Sequence, residues 1–421
     1  MKNAFKLSGA LLALYASGSA EFQVGNGAIQ LDTSLTGVYD SNLRASVNNI
    51  SDYYLNFTPS LRYRRIGARF NTEASTSVQF KRFLDHHESN ADDVSAQFGW
   101  DMRRTDGYTT GASLAFGYIE RSDAVVEVNE RVNSSTFFVN TAGEILVAGR
   151  NLFTAGLSYS TSRRNFGSDQ MTSSGRVGYS FLGFTDGTVI NINYSNQKNK
   201  SEENIEGITV LDQTVDTGIV TVSHPIYVDF TGSAFYGYRH LDRGTQEFLL
   251  GRPNRSGPIY GISFDGPFLP KKYFSKTTGT FRLAYEQAQA PGLNDSGNER
   301  LVGQIDLAWT AREKTVVHFV ASRSQNLSID DNTVVNERTE LFVSQGIGSF
   351  INTNFGVAYT NATFVNLERN DDRYEAHADA TYRINRDWSS TIGYRYLHSE
   401  STAIFANYQR HVVSGTINYA F

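Results

Sequence analysis

Cysteine is absent from the 421 residues. That excludes disulfides, thiolate nucleophiles, cysteine-based metal sites and a lipoprotein anchor, and it suits a chain that crosses an oxidising compartment. Proline is scarce, at 7 residues, and charge is thin, at 19 % of the chain with a formal net charge of −5. A nucleic-acid binder needs a basic surplus, so no nucleic-acid partner is expected. Beyond the N-terminal segment there is no run of about 18 apolar residues, the length of a spanning helix. With a mean hydropathy of −0.37, a bundle of membrane helices is excluded.

The chain does hold 28 Phe, 23 Tyr and 36 Gly. Such loading without Leu/Ala/Glu/Lys tracts predicts an all-β protein. The first twenty residues are of another kind. Lys2 and Lys6 flank and precede the short apolar stretch 7–15, and Ala16, Ser17, Gly18, Ser19 and Ala20 follow it. This is the layout of a secretory signal cleaved after Ala20. The expected organisation is a signal peptide over 1–20, a short periplasmic lead-in over 21–28 and one barrel over 29–421. No cofactor is implied.

From about residue 29 polarity flips at each step, the signature of a strand with one apolar face. Between Arg373 and Arg383 the even positions are Tyr374, Ala376, Ala378, Ala380 and Tyr382. The odd ones include Glu375, His377 and Asp379. The pattern recurs in Tyr53–Tyr63, Val94–Met102, Val177–Phe181, Ile190–Tyr194 and Leu301–Trp309. Residues 212–223 are ambiguous, because Val220 and Val222 break the rule.

Connections are read as alternately short and long. Short ones are expected at Arg64-Arg65, Thr105-Asp106-Gly107, Gly149-Arg150, Thr185-Asp186-Gly187, His224-Pro225, Gly348-Ser349 and Asn385-Arg386. Long polar ones are expected over 40–50, 81–92, 122–131, 200–210, 241–255, 288–297, 326–334, 364–370 and 400–407. Tight turns at one end and long loops at the other are the plan of an outer-membrane barrel. Lipid offers no hydrogen bonds, so every backbone group must pair internally, and a closed sheet does this without edges. The expected fold is therefore all-β: a single transmembrane up-and-down antiparallel β-barrel of about 18–20 strands. It belongs in the outer membrane of a Gram-negative bacterium, against lipid and lipopolysaccharide. A siderophore-type transporter would carry a large N-terminal plug, and barrel-like alternation beginning near Ile29 argues against one.

The last residues alternate again, with Ile417, Tyr419 and Phe421 on one face. A terminal aromatic on an alternating strand is similar to the recognition signal for the barrel-assembly machinery, which becomes an expected partner. Two further stretches carry a family resemblance. One is Val38-Tyr39-Asp40-Ser41-Asn42-Leu43; the other is the last hairpin, from Gly393-Tyr394-Arg395-Tyr396-Leu397-His398 to Asn407-Tyr408 and on to Phe421. With them the chain resembles the beta-barrel porin 2 family, whose members include outer-membrane barrels encoded with exopolysaccharide export systems. The resemblance implies a single barrel, a conduit for a secreted polysaccharide with export components as partners, and no catalytic residues.

The polar face supplies the candidate pore lining: Arg62, Arg69, Glu73, Asp101, Arg103, Arg176, Asp229, Arg282, Glu286, Arg300, Asp306, Arg338, Glu340, Arg373, Glu375, Asp379, Arg383 and Arg395. Both signs are mixed, whereas strong ion selectivity needs rings of one charge. Mixed charge with amides and hydroxyls suits a neutral, hydrated solute such as a saccharide; the same groups could equally be ion pairs that satisfy the wall. The loop 241–255, with Arg243, Arg252 and Arg255, is a candidate constriction against the alternative of a solvated surface loop. Asp85-His86-His87-Glu88 with Asp92-Asp93 is the one cluster with the residue types of a carboxylate–His or metal site. Asp330-Asp331-Asn332 and Asn370-Asp371-Asp372 are acidic loop clusters that could hold Ca²⁺ or are plain turn chemistry. The leading function is a porin-like channel and not an enzyme. The alternatives are a non-conducting barrel that binds partners through its loops, and an outer-membrane hydrolase.

Overall fold

The structure, a computed structural model, describes residues 22–104, 109–125, 130–165, 168–183, 187–203, 212–227, 229–243, 254–267, 276–287, 299–327, 333–364, 369–403 and 406–420. The expected signal peptide, Phe421, Arg252 and the cluster 330–332 lie outside the described residues.

Among the described residues the strands follow one another with only a short 3-10 turn, His87–Ser89, beside them. They are β1 (Phe22–Val24), β2 (Gly27–Asp40), β3 (Asp52–Ile66), β4 (Phe70–Phe83), β5 (Ala91–Met102), β6 (Thr110–Val125) and β7 (Glu130–Val147). Next come β8 (Asn151–Arg164), β9 (Ser168–Leu182), β10 (Val189–Glu203), β11 (Asp212–Tyr227), β12 (Phe230–Arg243), β13 (Arg255–Gly266) and β14 (Thr277–Gln287). The last are β15 (Glu299–Arg312), β16 (Thr315–Leu327), β17 (Thr333–Ile347), β18 (Ile351–Phe364), β19 (Arg369–Arg383), β20 (Trp388–Ser401) and β21 (Tyr408–Ala420). Each of β2 to β21 pairs antiparallel with its chain neighbours, and β21 returns to β2 from Asp32↔Ala420 to Asp40↔Val412. The result is a closed, meandering barrel of twenty strands. β1 is a three-residue return strand on β2, with Phe22 opposite Ile29.

Closure identifies the two faces. Side chains on the concave side of a cylinder converge and lose exposure, and those on the convex side diverge. The exposed large hydrophobics include Leu55, Leu157, Ile192, Tyr236, Phe355 and Ile392. In the pairing registers all of these fall on the apolar face of their strands. Asp40, Asp371, Arg369 and Lys81 fall on the other face and are buried. The apolar face is therefore outside and the polar face inside. Val220 and Val222 obey the same rule: both are exposed, Val220 pairs with Ile192 and Tyr236, and Val222 pairs with Ile190 and Ala234, all on the outer face.

The start of β2 at Gly27 and the end of β21 at Ala420 lie on one rim, called the near rim below. The breaks between strands fall at most of the expected connections, several of which (105–107, 204–210 and 288–297 among them) lie outside the described residues, but several strands run further than alternation suggested. Arg64 and Arg65 are not a turn; they pair with Glu73 and Thr72, and the turn follows at 67–69. His224 and Pro225 belong to β11, which turns only after Tyr227. Polar residues near the strand ends thus stay in the ladder, because strands overrun the apolar band. The contrast between rims is also weaker than expected. At the far rim, strands are separated by as few as three residues, between Arg164 and Ser168, a break the alternation did not reveal, and by as many as eleven, between Asp40 and Asp52. Ala148 and Gly149 take φ of 52° and 68°, the left-handed pair that folds β7 onto β8.

Candidate functional site: the lumen wall

Twenty strands about 4.8 Å apart and tilted about 40° close at a backbone radius of roughly 20 Å, so side chains alone do not fill the centre. What a solute would meet is the inner face.

Of the candidate lining residues, Arg62, Glu73, Asp101, Arg176, Arg282, Glu286, Asp306, Arg338, Glu340, Arg373, Glu375, Asp379 and Arg395 occupy inner-face register positions. Arg300 does so by backbone register, opposite Glu286. Arg69 and Arg103 sit in near-rim connections, joined by a bond from the Arg103 amide to the Arg69 carbonyl. Arg383 closes β19 and donates to the Asn385 carbonyl. Asp229 is not in the wall at all. It lies between the end of β11 at Tyr227 and the start of β12 at Phe230, with φ of 64°, a conformation Asp tolerates better than most residues.

The inner charges are largely engaged with one another. Arg338 donates from Nε (3.1 Å) and Nη2 (2.8 Å) to one oxygen of Glu340, two residues along the same strand. Arg395 donates to Glu375 across β19–β20 at 2.7 Å, and Arg239 to Glu286 at 2.8 Å. Arg62 lies 3.8 Å from Glu73, and Arg103 3.5 Å from Asp101. Asp379 accepts from Asn354, which accepts in turn from Ser344. Arg282 has a different neighbour: its guanidinium lies 5.0 Å above the ring of Phe235. Between the charges run hydroxyl and amide contacts, such as Ser77–Ser95, Ser158–Ser174 and Thr172–Asn199.

The alternation did not reveal an apolar patch on this polar face. Ile219, Phe235, Ile259, Ala284 and Val302 pack together across five strands. Glycines make room for it, since a Cβ at Gly261 would meet Phe235 at 2.5 Å. The signal present in the sequence was the odd-numbered Ile219 and Phe235, each among small or polar inner-face neighbours.

The two stretches that carried the family resemblance meet at the far rim. Asp40, fully buried, accepts from Arg410 through both its oxygens, at 3.0 Å from Nε and 2.6 Å from Nη2. Asn42, also fully buried, is the hub of loop 41–51: its amide donates to the Ser46 carbonyl and Asn49 side chain, each at 2.7 Å, and to the Gln409 carbonyl at 3.1 Å. Leu43 and Ala45 are buried in the same turn. This loop packs against the closing seam. In the expected constriction, 241–255, Arg243 and Arg255 belong to β12 and β13, and the Arg243 amide donates to Asn254.

The histidine cluster does not converge. His86 contacts Asp52 at 3.1 Å, His87 contacts the Phe83 carbonyl, Asp92 pairs with Arg82, and Asp93 pairs with Lys81. Asp52 stands at the tip of β3, beyond the outward Tyr39–Tyr53 pair. Burial would raise its pKa, but the amides of His86, Asp85 and Tyr53 and the His86 ring hold it below its ordinary value. The Asp371–Asp372 pair splits as well. Asp371 faces inward to Arg369, Arg373 and Ser401, and Asp372 faces outward to Tyr359 and Asn361. One ion cannot bridge them. Among the described residues no group of three His, Asp or Glu is placed to hold a metal.

Residues 291–421 match the family model described as "Putative beta-barrel porin 2". No curated protein matches the chain. Solved structures do. The ferric-catecholate import receptor Fiu from E. coli K12 aligns with a TM-score of 0.56 at 9 % identity, over 96 % of this chain and 82 % of that one. The FrpB iron transporter from Neisseria meningitidis gives 0.54 at 9 %, over 93 % and 81 %. The siderophore receptor PirA from Acinetobacter baumannii gives 0.54 at 8 %, over 95 % and 81 %. At such identity the likeness is one of fold: the chain is a closed β-barrel of the outer-membrane type.

Proposed function

We propose that the protein is an outer-membrane channel for hydrophilic solutes of little net charge, with hydrated saccharides as the solute class and a secreted polysaccharide as the extended form. The observation that carries this reading is the pairing of inner-face charges. Arg338–Glu340, Arg395–Glu375, Arg239–Glu286 and Arg62–Glu73 neutralise one another locally. A wall so composed presents hydroxyls and amides without a ring of one sign, which suits a neutral solute better than an ion. In this reading the near rim faces the periplasm, where export components would dock. The outer face meets lipid and lipopolysaccharide. The assembly machinery recognises the end of β21, where Ile417 and Tyr419 face outward and Tyr419 packs on Trp388.

Loop 41–51, packed against the wall, supports a second reading in which the lumen is closed and the barrel serves as a surface scaffold. Purified protein in planar bilayers separates the two. Stepwise ion currents, with liposome swelling in neutral oligosaccharides, are the expected result. No current at any voltage would refute the channel.

A further inference from the structure

The wall is not sewn to the top everywhere. Between β5 and β6 the ladder runs from Met102↔Ala112 to Ser95↔Ile119 and stops. Both strands continue. β5 goes on to Ala91, paired with Lys81 of β4, and β6 goes on to Val125, paired with Glu130 of β7. Residues 91–94 and the segment beyond Ile119 therefore run side by side without backbone pairing. The β15–β16 ladder likewise ends at Gly303↔Arg323, although the strands extend to Glu299 and Leu327. The two gaps lie ten strands apart, on opposite sides of the barrel.

At the β5–β6 gap, side chains stand in for the missing ladder. The Val94 amide donates to Glu120 Oε2 and the Ser122 amide to Asp93 Oδ2, each at 3.3 Å. Lys81 Nζ donates to the Ser122 carbonyl at 2.9 Å and lies 3.7 Å from Asp93. A cavity of about 490 Å³ opens here, lined by inner-face Asp93, Arg121 and Arg164 and by outer-face Glu120, Asn133 and Arg163. Of its lining residues only Ala91 is apolar. Its height is fixed by Tyr118, an outward ring whose hydroxyl donates to Glu120 at 2.6 Å. Outward tyrosines mark the headgroup level of a membrane barrel.

We propose that this seam is a side portal between the lumen and the headgroup layer of the outer leaflet, latched by Lys81, Asp93 and Glu120 and admitting a polyhydroxylated, saccharide-like group. The proposal rests on the membrane-channel reading for its direction, inside to outer leaflet. Its physical basis is that a backbone ladder is a continuous cooperative seal, whereas three charged side chains can part and be solvated separately. The polar lining excludes the acyl-chain occupant that an apolar slot would take.

The absence of cysteine makes a direct test possible. Arg121→Cys places one thiol on the inner face beside the gap. Asn199→Cys places one on the inner face at the far rim, within intact ladders to Gln213 and Thr172. Both are reconstituted in vesicles containing a phospholipid with a headgroup-tethered maleimide, and their rates are normalised to a soluble maleimide. Arg121→Cys is expected to react at least tenfold faster than Asn199→Cys, and faster again with Lys81→Met. A linear neutral hexasaccharide of glucose is expected to slow soluble-maleimide labelling of Arg121→Cys at least threefold, with no effect on Asn199→Cys. Equal lipid-tethered rates at the two sites would overturn the portal. Failure of the hexasaccharide to protect would overturn its ligand class. Neither readout needs ion current, so a barrel that does not conduct refutes the channel reading without deciding the seam. Normal heat-modifiable migration identifies variants that have folded.

Discussion

Replacing Asp40 with asparagine should loosen the barrel where its first and last strands meet. Asp40 is fully buried, and Arg410 approaches it in a fork, Nε to Oδ1 and Nη2 to Oδ2. The substitution leaves a guanidinium beneath loop 41–51 with one neutral acceptor in place of a carboxylate. Removing one partner of a buried pair costs about 3–5 kcal/mol, and the amide keeps part of the bonding, so about 3 kcal/mol is expected. Arg410→Met should cost a similar amount, and the double variant less than the sum, because the second change removes the stranded charge. The assay is the denaturant midpoint of the refolded barrel in lipid vesicles. Thr36→Val supplies the control. It breaks another contact across the same seam, Thr36 Oγ1 to Thr416 Oγ1 at 3.0 Å, and as a neutral, half-buried bond it should cost about 1 kcal/mol. If Asp40→Asn costs no more than Thr36→Val, or if the double variant is additive, the clamp is not a coupled buried pair and the reasoning fails.

Three other outcomes follow from the same geometry. Glu340→Gln with Glu375→Gln should release Arg338 and Arg395 into the lumen and shift the reversal potential in a salt gradient toward anions; an unchanged potential would mean these pairs do not face the conduction path. The Asp52 carboxyl is held below its ordinary value, so its stabilisation of the segment after β4 is present above the ordinary carboxylate range and is lost as pH falls through the depressed value. Hydrogen-exchange protection at Asp85 and His86, corrected for intrinsic rates, should hold at neutral pH and drop only as pH falls below the ordinary carboxylate range, and Asp52→Asn should show low protection throughout. A Cβ at Gly261 would meet the Leu283 carbonyl and Phe235, whereas one at Gly415 has nothing within 4 Å. Gly261→Ala should therefore lose about 2 kcal/mol or fail to fold, with Gly415→Ala near neutral in thermal unfolding.

The fold was legible because the environment imposes a period of two on every strand. Residues 373–383 show the two faces without any knowledge of their neighbours, and twenty such segments with paired ends leave little but a closed meander. The strand ends were less legible. Arg64, Arg65, His224 and Pro225 are polar or turn-forming by type, yet they stay in the sheet, because beyond the apolar band water and lumen accept polar side chains on either face. Local polarity then no longer marks where a strand stops. Asp229 failed as a lining residue for the same reason: its place depends on a turn four residues further on than the sequence suggests.

The candidate site was legible as a list of groups and not as a set of partners. Alternation puts Arg338 and Glu340 on one face, and their spacing of two lets them bond along the strand. The pairing of Arg395 with Glu375 instead needs the register of β19 against β20. Asp40 and Arg410 are 370 residues apart, and only closure brings them together. The early cessation of the β5–β6 ladder is more hidden still: Glu120 and Ser122 put polar groups on the outer face, as residues near other strand ends do, and nothing in their type says that the backbone beside them lacks a ladder partner. What distinguishes the seam is a set of carboxylates and one ammonium bonded to backbone groups that elsewhere bond to backbone. Where charges pair with charges, the wall becomes neutral and stiff. Where charges replace the ladder itself, the bonds that close the wall depend on ionisable side chains, and the wall is weakest there. That places the chemistry most open to regulation beside β5 and β6 and not among the paired residues that line the rest of the lumen.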